Sequence, residues 1–386
     1  MSVGSSRCID AIPRHAGPDK VIGWIELTAR CNLRCPYCYT DSNLSTNMQL
    51  SLEEVKQLLR DFRDIRAAKI MFSGGEPCLH PDLERILTFG GQQGLSMVLV
   101  TNGTALTKPL ASLLRELGVE VQISIDAVEP ERYRKSRGAP TLPLVLSNLA
   151  MLQDLGVQPT LSVTLTALVE DHLANVTEFA LQRGIEFVHF GTMVPAGRGK
   201  KHRALRVRDM YRVLAQLYAL QKANYLRLCI DIIENLVYSL VLDQQRDAFC
   251  NAMLGRVLEV SPAGVVYFCG SLREVPSLTL GEIRHTGLRA LYERARANLM
   301  FPDLSVDHLH ICGDCAYRYL CCGGCRAEAY HCADGDILAP SPFCVDMKRI
   351  IREILEDHET GVLDDYLELL RLRSSATGED AFMKYL

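Results

Sequence analysis

The residues of this sequence with the most distinctive chemistry are three cysteines in one short segment. Cys31, Cys35 and Cys38 are separated by three and two residues, so one loop can present all three thiols to a single iron–sulfur cluster. If that cluster has four irons, one iron is left without a protein ligand and can coordinate a substrate or a cofactor. The alternative is a structural zinc site, which needs further ligands to complete its tetrahedron.

A second cysteine-rich stretch lies between residues 250 and 344, where nine of the 15 cysteines occur. Seven of the nine form a spaced pattern, in which Gly264-x4-Cys269 precedes a C-x2-C-x5-C-x3-C core. Cysteines at such spacings bind iron–sulfur clusters or, alternatively, one or two structural zinc ions. The seven are Cys250, Cys269, Cys312, Cys315, Cys321, Cys325 and Cys344.

Size and composition restrict the class of protein. The chain has 386 residues, of which 48% are hydrophobic, and can therefore bury a large core. A net charge of -4 gives no electrostatic reason to expect a nucleic acid, so a small molecule or a peptide is the more natural partner. No apolar run has the length of a signal peptide or a membrane span, and we expect a cytoplasmic protein without a membrane partner. The odd number of cysteines fits a reducing compartment.

Strand and helix patterns alternate around the first cysteine group. An apolar strand over residues 21–28 leads into the cysteine loop, and a helix over 51–63 begins with a Ser-x-x-Glu capping box. A strand over 69–72 ends at Ser73-Gly74-Gly75-Glu76-Pro77. Further strands are predicted over 97–100, 119–125, 160–165 and 187–191, and further helices over 81–90, 109–117, 142–155 and 172–183. Six repeats predict an α/β fold with a partial (β/α)6 barrel, whose open side admits a large substrate.

Polar residues follow several of these strands. The carboxyl ends of strands are where an α/β barrel places its chemistry, and two glycines allow a strand end to approach a ligand closely. The alternative role for Asn102, Ser124 and Asp126 is in turns and caps. Glu26, on the first strand, is either a functional carboxylate or a charge satisfied by an arginine. The basic segment 195–203 is either a solvated loop or a docking site for substrate carboxylates or an acidic peptide.

The cysteine loop and the Gly-Gly-Glu-Pro segment resemble the CxxxCxΦC loop and the GGEP segment of the radical S-adenosylmethionine (SAM) superfamily. The resemblance implies that SAM chelates the open iron of a 4Fe-4S cluster, held by the catalytic Cys31, Cys35 and Cys38. Reductive cleavage of SAM then gives a 5′-deoxyadenosyl radical, and the electron comes from an external donor such as flavodoxin or ferredoxin. The implied SAM contacts are Tyr37 with adenine; Gly74, Gly75 and Glu76 with the amino group; Asn102, Ser124 and Asp126 with the ribose and carboxylate; and Arg137 with the carboxylate.

The later cysteine pattern resembles the SPASM module of radical SAM enzymes, which holds two auxiliary iron–sulfur clusters, expected to be 4Fe-4S. By position, the resemblance assigns Cys250, Cys269 and Cys325 to an inner cluster and Cys312, Cys315, Cys321 and Cys344 to an outer one. Some relatives supply a fourth inner ligand from a cysteine six residues before the first, where this chain has Gln244. The inner cluster is therefore left with an open iron, or takes Cys229, Cys322 or Cys332; the alternative for these three, and for Cys8 and Cys78, is an ordinary buried or loop thiol.

These assignments predict four regions. We expect an N-terminal extension over residues 1–20, a radical SAM partial barrel over 21–235, a SPASM domain over 236–350 and a helical C-terminal tail over 351–386, loose from residue 374. Fewer than about thirty residues precede the cysteine loop, which is too short for a fused leader-recognition domain of ordinary size.

The resemblance implies an oxidoreductase that abstracts hydrogen from a substrate C–H bond and oxidises the resulting radical. In formylglycine maturases of this architecture an Asp follows the cysteine of the Gly-x4-Cys segment, whereas here Gly270 follows Cys269. We expect instead a peptide-modifying enzyme that forms a cross-link or makes a similar oxidation on a ribosomally made precursor, either alone or with a separate recognition protein. The alternatives are a tetrapyrrole side-chain-modifying enzyme of heme d1 or alternative heme synthesis and, in another class, a non-catalytic iron–sulfur electron carrier.

Overall fold

The structure is a computed structural model that describes residues 21–241, 249–298 and 304–377. The predicted N-terminal extension with Cys8, the residue Gln244 and the end of the predicted tail lie outside the described residues. The strands are β1 Ile22–Thr28, β2 Lys69–Gly74, β3 Met97–Thr101, β4 Glu120–Ser124, β5 Thr160–Leu165, β6 Phe187–Thr192, β7 Cys229–Ile230, β8 Val257–Val260, β9 Val265–Tyr267 and β10 Thr279–Glu282.

The helices surround this sheet and extend past it at the C-terminus. None of those in the described residues is long and apolar enough to cross a membrane. They are α1 Leu52–Asp64, α2 Leu83–Gln92, α3 Lys108–Glu116, α4 Pro130–Arg137, α5 Leu142–Asp154, α6 Leu173–Gln182, α7 Met210–Asn224, α8 Asp231–Val241, α9 Ile283–Thr286, α10 Leu288–Asn298, α11 Arg318–Cys321, α12 Arg326–Cys332, α13 Cys344–Glu359 and α14 Asp364–Thr377.

Strands β1 to β6 are parallel neighbours in chain order, which confirms the predicted α/β fold with six βα repeats. The strands are rich in buried apolar residues because helices cover them, as is usual for parallel sheets. Helix α1 begins with the predicted capping box, in which Ser51 and Glu54 each satisfy a backbone N–H of the other. The carboxyl ends of these strands therefore meet at one edge, where the predicted site residues lie.

The cysteine-rich region continues the same sheet. Strand β8 pairs in parallel with β1, so that Glu259 lies opposite Trp24, and β9 and β10 follow as antiparallel neighbours. A parallel strand added at the β1 edge covers backbone groups that would otherwise be unpaired. Cys269 follows the end of β9 at Tyr267 by two residues.

Two segments differ from the sequence-based expectation. Helix α4 has no apolar stripe in its sequence, PERYRKSR, and Tyr133 is its one fully buried apolar side chain, so hydrophobic periodicity does not reveal it. Its proline start and its end at Gly138, with a φ of 77°, are the signals that mark it. Helix α14 continues to Thr377, past the point where we expected a loose tail.

The C-terminal helices pack against helices of the barrel. Helix α13 contacts α7, and α14 contacts α8. The Tyr218 hydroxyl donates to Asp357 at 2.8 Å, and the ammonium group of Lys222 pairs with the same carboxylate. These helices therefore cover the side of the barrel that lies beyond β6.

Candidate active site

The first cysteine group lies in the loop that follows β1. Cys31, Cys35 and Cys38 are partly buried, and negative charge on Cys35 or Cys38 would raise the pKa of the Cys31 thiol, so the three lie close together. Burial is the main cause that raises the pKa of Cys31 to about 12. A thiol with such a pKa stays protonated at neutral pH unless a bound metal replaces its proton.

Glycines from three other segments contact the backbone of this loop. At each of these positions any side chain would collide with a carbonyl oxygen, so only glycine allows the approach. An added Cβ would lie 2.2 Å from the Arg30 oxygen at Gly75, 2.5 Å from the Arg34 oxygen at Gly138 and 2.3 Å from the Tyr39 oxygen at Gly197.

The Gly74-Gly75 pair, which we predicted to approach a ligand, also approaches this backbone. The Gly75 N–H donates to the Thr28 carbonyl at 2.7 Å, and the Glu76 N–H donates to the Arg30 carbonyl at 2.8 Å. Gly74 has a φ of 124°, and a Cβ there would lie 2.4 Å from the Thr28 oxygen. The segment therefore holds the entrance of the cysteine loop, and its contact with the SAM amino group stays a prediction.

The carboxylate of Glu76 is completely buried and has several donors from the protein. It accepts from the Thr101 hydroxyl at 2.6 Å, the Asn102 N–H at 2.7 Å and the Cys78 N–H at 3.0 Å. Burial raises the pKa of Glu76, and these hydrogen bonds oppose that effect. The Cys78 thiol is a further donor to this carboxylate, so the protein occupies most of its acceptor positions.

Arg198, in the basic segment that we considered as a docking site for substrate carboxylates, is instead buried against the cysteine loop. Its guanidinium donates to the Cys35 carbonyl at 2.7 Å, the Ser42 carbonyl at 2.6 Å and the Asp41 carboxylate at 2.8 Å. Its backbone N–H donates to the Cys38 carbonyl at 2.9 Å. The planar, many-donor shape of arginine suits this task of holding several loop carbonyls at once.

Asp126, Tyr37 and Arg137 form one buried network beside Cys35. Asp126 accepts from the Tyr37 hydroxyl, from Arg137 at 2.7 Å and from the Thr164 N–H at 2.9 Å. Burial alone would lower the pKa of Arg137, but the Asp126 carboxylate raises it above its ordinary value. The Nε–H of Arg137 is buried without a partner among the described residues, which fits a ligand carboxylate as its acceptor.

The other predicted SAM contacts differ in whether their side chains already form hydrogen bonds within the protein. The Asn102 amide donates to Asn32 in the cysteine loop at 2.9 Å and accepts from the Thr104 N–H at 2.9 Å. The Ser124 hydroxyl makes no hydrogen bond within the described part of the chain and is partly exposed. Ser124 and the Arg137 Nε–H are therefore available to a ligand, whereas Asn102 ties β3 to the cysteine loop.

The fold also brings the later cysteines together in the two predicted groups. In the inner group, negative charge on Cys250 would raise the pKa of Cys269, and charge on both would raise that of Cys325. In the outer group, negative charge on the neighbouring thiols would likewise raise the pKa of Cys312 and of Cys321. All four outer thiols line one cavity of about 20 Å³. The outer four are Cys312, Cys315, Cys321 and Cys344.

This arrangement fits the donor set of two clusters, although no three His, Cys, Asp or Glu side chains within residues 21–241, 249–298 and 304–377 are arranged around a single metal ion. The clusters themselves therefore stay a proposal.

The candidates for a fourth inner ligand have other surroundings. Cys229 is fully buried in β7, and the Cys322 thiol donates to the Tyr319 carbonyl at 3.6 Å. The pKa of Cys332 is raised by burial, and its charged neighbours are Arg206, Arg203 and Glu328. The Cys78 thiol lies 3.6 Å from the Thr101 hydroxyl, as an ordinary buried thiol would.

An ion-pair network that the sequence did not predict connects β1 with β8. Arg273 donates to Glu26 at 2.8 and 3.2 Å, so Glu26 is satisfied by an arginine, one of its two predicted alternatives. Glu259 accepts from the Gly270 N–H, and its Oε1 atom lies 1.9 Å from where a Cβ at Gly270 would be. The carboxylate of Glu259 thus occupies the space beside Cys269 that a side chain at position 270 would fill.

A cavity of about 280 Å³ lies between the carboxyl end of β6, helices α7 and α8, and the inner cysteine group. Cys250 and Cys325 line it, and most of its remaining wall is apolar. Its polar groups include Glu328 and the hydrogen-bonded pair His189 and Asp231. Burial raises the pKa of Glu328 to about 7, and its Oε1 atom has no hydrogen-bond partner among the described residues. Sequence reasoning missed these three residues, because no motif marks them.

The contact between Gly138 and the cysteine loop can be tested by adding one methyl group. Gly138→Ala should displace the Arg34 carbonyl and lower bound iron by about a third, the share of one of the three expected clusters. The measurement is iron per chain after anaerobic reconstitution. Gly118→Ala is the matched control, because Gly118 also has a positive φ but no atom within 4 Å of the added Cβ. Equal iron in both variants would contradict the proposed contact.

The pH dependence of stability tests the network around Glu259. Burial, followed by the charge of Glu26, raises the pKa of Glu259 to about 8, whereas in the unfolded chain it is about 4.3. Between these values the folded state binds more protons, so stability should fall as the pH rises through this range. Glu259→Gln should reduce that fall in thermal-unfolding midpoints measured from about pH 5 to pH 8. The exposed Glu84→Gln is the control, and parallel curves for wild type and Glu259→Gln would rule out the effect.

Comparison with known proteins agrees with this geometry. Residues 25–180 match the family profile of the Radical SAM superfamily. AdoMet-dependent heme synthase from Methanosarcina barkeri is 30% identical, over 84% of this chain and 96% of the relative. PqqA peptide cyclase from Xanthomonas axonopodis pv. citri is 26% identical, over 83% of this chain and 85% of the relative. The solved structure of native anSMEcpe with bound AdoMet and Cp18Cys peptide has a TM-score of 0.73 at 20% identity, over 90% of this chain and 99% of that chain.

The similarity to anSMEcpe extends through the cysteine-rich region, so the two chains share one fold over nearly their whole length. The two sequence relatives are named as a synthase and a cyclase, and this chain is likewise an enzyme rather than a non-catalytic electron carrier. With the match of residues 25–180 and the full-length relative at 30% identity, the chain belongs to the radical SAM superfamily.

Proposed function

We propose that the protein is an oxidoreductase that cleaves SAM at a 4Fe-4S cluster held by Cys31, Cys35 and Cys38 and oxidises a C–H bond of its substrate. The observation that carries the proposal is the grouping of ten cysteines into sets of three, three and four within one fold. When bound, the cluster and SAM supply the 5′-deoxyadenosyl radical that takes the hydrogen atom. The chain's own residues bind and orient SAM.

For SAM binding we assign roles to the groups that the fold leaves available. The Arg137 Nε–H is placed to donate to the SAM carboxylate, because it is a buried donor without a protein acceptor. The amino group is assigned to the Gly74-Gly75-Glu76 segment by the family resemblance, and the Ser124 hydroxyl is open to the ribose or the carboxylate. Tyr37 is held by Asp126, and its ring is the proposed neighbour of the adenine.

The C-terminal cysteines are the proposed ligands of two auxiliary clusters. Removal of a hydrogen atom leaves a substrate radical, and its oxidation releases one more electron, which needs an acceptor close to the substrate. The inner thiols Cys250 and Cys325 line the 280 Å³ cavity, so a cluster held by them would lie at the wall of that cavity. The electron for SAM cleavage would come from an external donor such as flavodoxin or ferredoxin.

For the substrate, the lining of this cavity favours a peptide side chain. The described residues that line it include no Lys or Arg, and its titratable groups are Glu328 and the hydrogen-bonded pair His189 and Asp231. An apolar pocket with acidic groups suits a neutral or cationic side chain and repels a substrate with several carboxylates. The similarity to PqqA peptide cyclase supports this choice. The peptide would bind directly or with the help of a separate recognition protein.

A second candidate is the oxidation of a tetrapyrrole side chain. The observation that favours it is the 30% identity with AdoMet-dependent heme synthase, which extends over 96% of that relative. The open side of the barrel is compatible with either substrate. The described residues that line the cavity include no Lys or Arg, which argues against a polyanionic tetrapyrrole at this position.

SAM cleavage is tested by anaerobic reconstitution followed by incubation with SAM and a strong reductant. We expect about twelve irons per chain and formation of 5′-deoxyadenosine, because three 4Fe-4S clusters are proposed. Cys31→Ala should abolish the nucleoside. Cys312→Ala, which removes an outer ligand, should leave nucleoside formation intact and lower iron by about a third. Bound zinc with no SAM cleavage by the parent protein would overturn the proposal.

The substrate class is tested by supplying two probes to the same reconstituted protein. A short peptide encoded beside the gene should lose two hydrogen atoms by mass, in step with extra 5′-deoxyadenosine. An iron tetrapyrrole that carries propionate side chains should remain unchanged and leave the nucleoside rate at its basal level. Conversion of the tetrapyrrole, with no change in the peptide, would establish the second candidate and reject the first.

A further inference from the structure

Arg326 lies between the two C-terminal cysteine groups. It directly follows Cys325, the last inner ligand proposed, and it begins α12. Only 2% of its surface is exposed, and it has the largest of the fully buried side chains in the described residues. A cation at this depth requires compensation, because a buried charge without a partner is strongly destabilising.

The hydrogen bonds of Arg326 go only to backbone carbonyls. Its guanidinium donates to the carbonyl oxygens of Ala339 at 2.7 Å, Ile337 at 3.2 Å and Gly324 at 3.2 Å, and to that of Gly323. These bonds satisfy its donors but supply no negative charge. Within residues 21–241, 249–298 and 304–377, no Asp or Glu forms an ion pair with it, although Glu328 is near enough to interact with its charge.

The turn that supplies two of these carbonyls also joins the two cysteine groups. It runs from the outer Cys321 to the inner Cys325, and the three residues between them have φ values of 50°, 72° and 73°. Such positive values need glycine or a strained residue, and here they belong to Cys322, Gly323 and Gly324. The backbone of this turn is thus bent so that two of its carbonyls face the guanidinium.

The negative charge that the site lacks is available from thiolates. The charge of Arg326 interacts with Cys250 and Cys325 of the inner group and with Cys312 and Cys321 of the outer group. Thiols carry negative charge once they bind iron, and the clusters they form carry it as well. Arg326 is therefore placed to interact with both groups at once.

We infer that Arg326 is the shared counter-cation of the two auxiliary clusters and raises the reduction potential of both. The inference rests on the proposed function for the presence of those clusters. Reduction adds one negative charge to a cluster, and a fixed cation nearby in a low-dielectric interior stabilises the reduced form more than the oxidised form. A higher potential makes each cluster a better acceptor for the electron that the substrate radical releases.

The test compares a neutral and a charged replacement. Arg326→Met removes the charge at similar length, and Arg326→Lys keeps the charge while losing most of the hydrogen bonds to carbonyls. Both are made in the full-length chain with Cys31→Ala, so that the iron signals come from the C-terminal groups. The measurements are iron per chain and the reduction potentials from a titration followed by electron paramagnetic resonance.

We expect Arg326→Met to shift the potentials of both clusters to more negative values and Arg326→Lys to stay close to the parent. Arg318→Met is the matched control. Arg318 also lies beside the outer group and donates to the Cys315 carbonyl at 3.2 Å, but it is 29% exposed and pairs with Asp307 at 2.9 Å. Its replacement should leave the potential of the inner cluster unchanged.

Equal potentials in the parent, Met and Lys proteins would overturn the inference and leave only a role in folding the turn. If Arg326→Met binds no iron, the iron content of Arg326→Lys is the deciding measurement. Iron near the parent level in Arg326→Lys supports the role of the charge, and loss of iron in both variants overturns the inference. Absence of C-terminal iron in the parent also overturns it. None of these measurements depends on SAM cleavage. The inference about Arg326 can therefore fail while the proposed SAM chemistry is correct, and the SAM chemistry can fail while the inference is correct.

Discussion

The constraint on which the rest of the site depends is the packing of other backbone segments against the loop that carries Cys31, Cys35 and Cys38. This loop has no helix or strand of its own, so other segments must satisfy its carbonyls and fix its bends. Glycines from three segments contact it at distances that exclude any side chain, and the guanidinium of Arg198 donates to two of its carbonyls. Because a cluster needs its thiols at fixed positions, this packing is a condition for the chemistry that we propose.

This packing changes the interpretation of the residues that resemble SAM contacts. Most of the polar atoms of Glu76, Asn102 and Asp126 bind other protein groups, and they hold the ends of β3 and β4 against the cysteine loop. The groups that the site leaves available to a ligand are few: the Ser124 hydroxyl and the Arg137 Nε–H. A ligand site in which most groups are already held is rigid before the ligand arrives, which reduces the cost of binding.

Buried charges connect the barrel with the cysteine-rich region. Arg273 pairs with Glu26 on β1 while lying close to Glu259 on β8, so one cation lies between two carboxylates. Farther along the chain Arg326 is a cation without a carboxylate partner, beside two groups of thiols. Buried ionic groups contribute little net stability but strongly disfavour arrangements that separate them. They therefore specify how the two regions meet, and they also set the electrostatic environment of any cluster between them.

The sequence by itself determined the local features of this protein. Hydrophobic periodicity predicted the six strands and their crossover helices, because this signal depends on residues near one another in the chain. The division of the later cysteines into two groups was implied by the resemblance to the SPASM module, since Cys250, Cys269 and Cys325 are far apart in the sequence. Helix α4 was not predicted, because its sequence lacks an apolar stripe.

Only the tertiary structure decided which side chains meet from distant segments. Glu26 and Arg273 are 247 residues apart, and Arg198 is 163 residues from Cys35. Such contacts follow from how the strands and helices pack, and no local pattern records them.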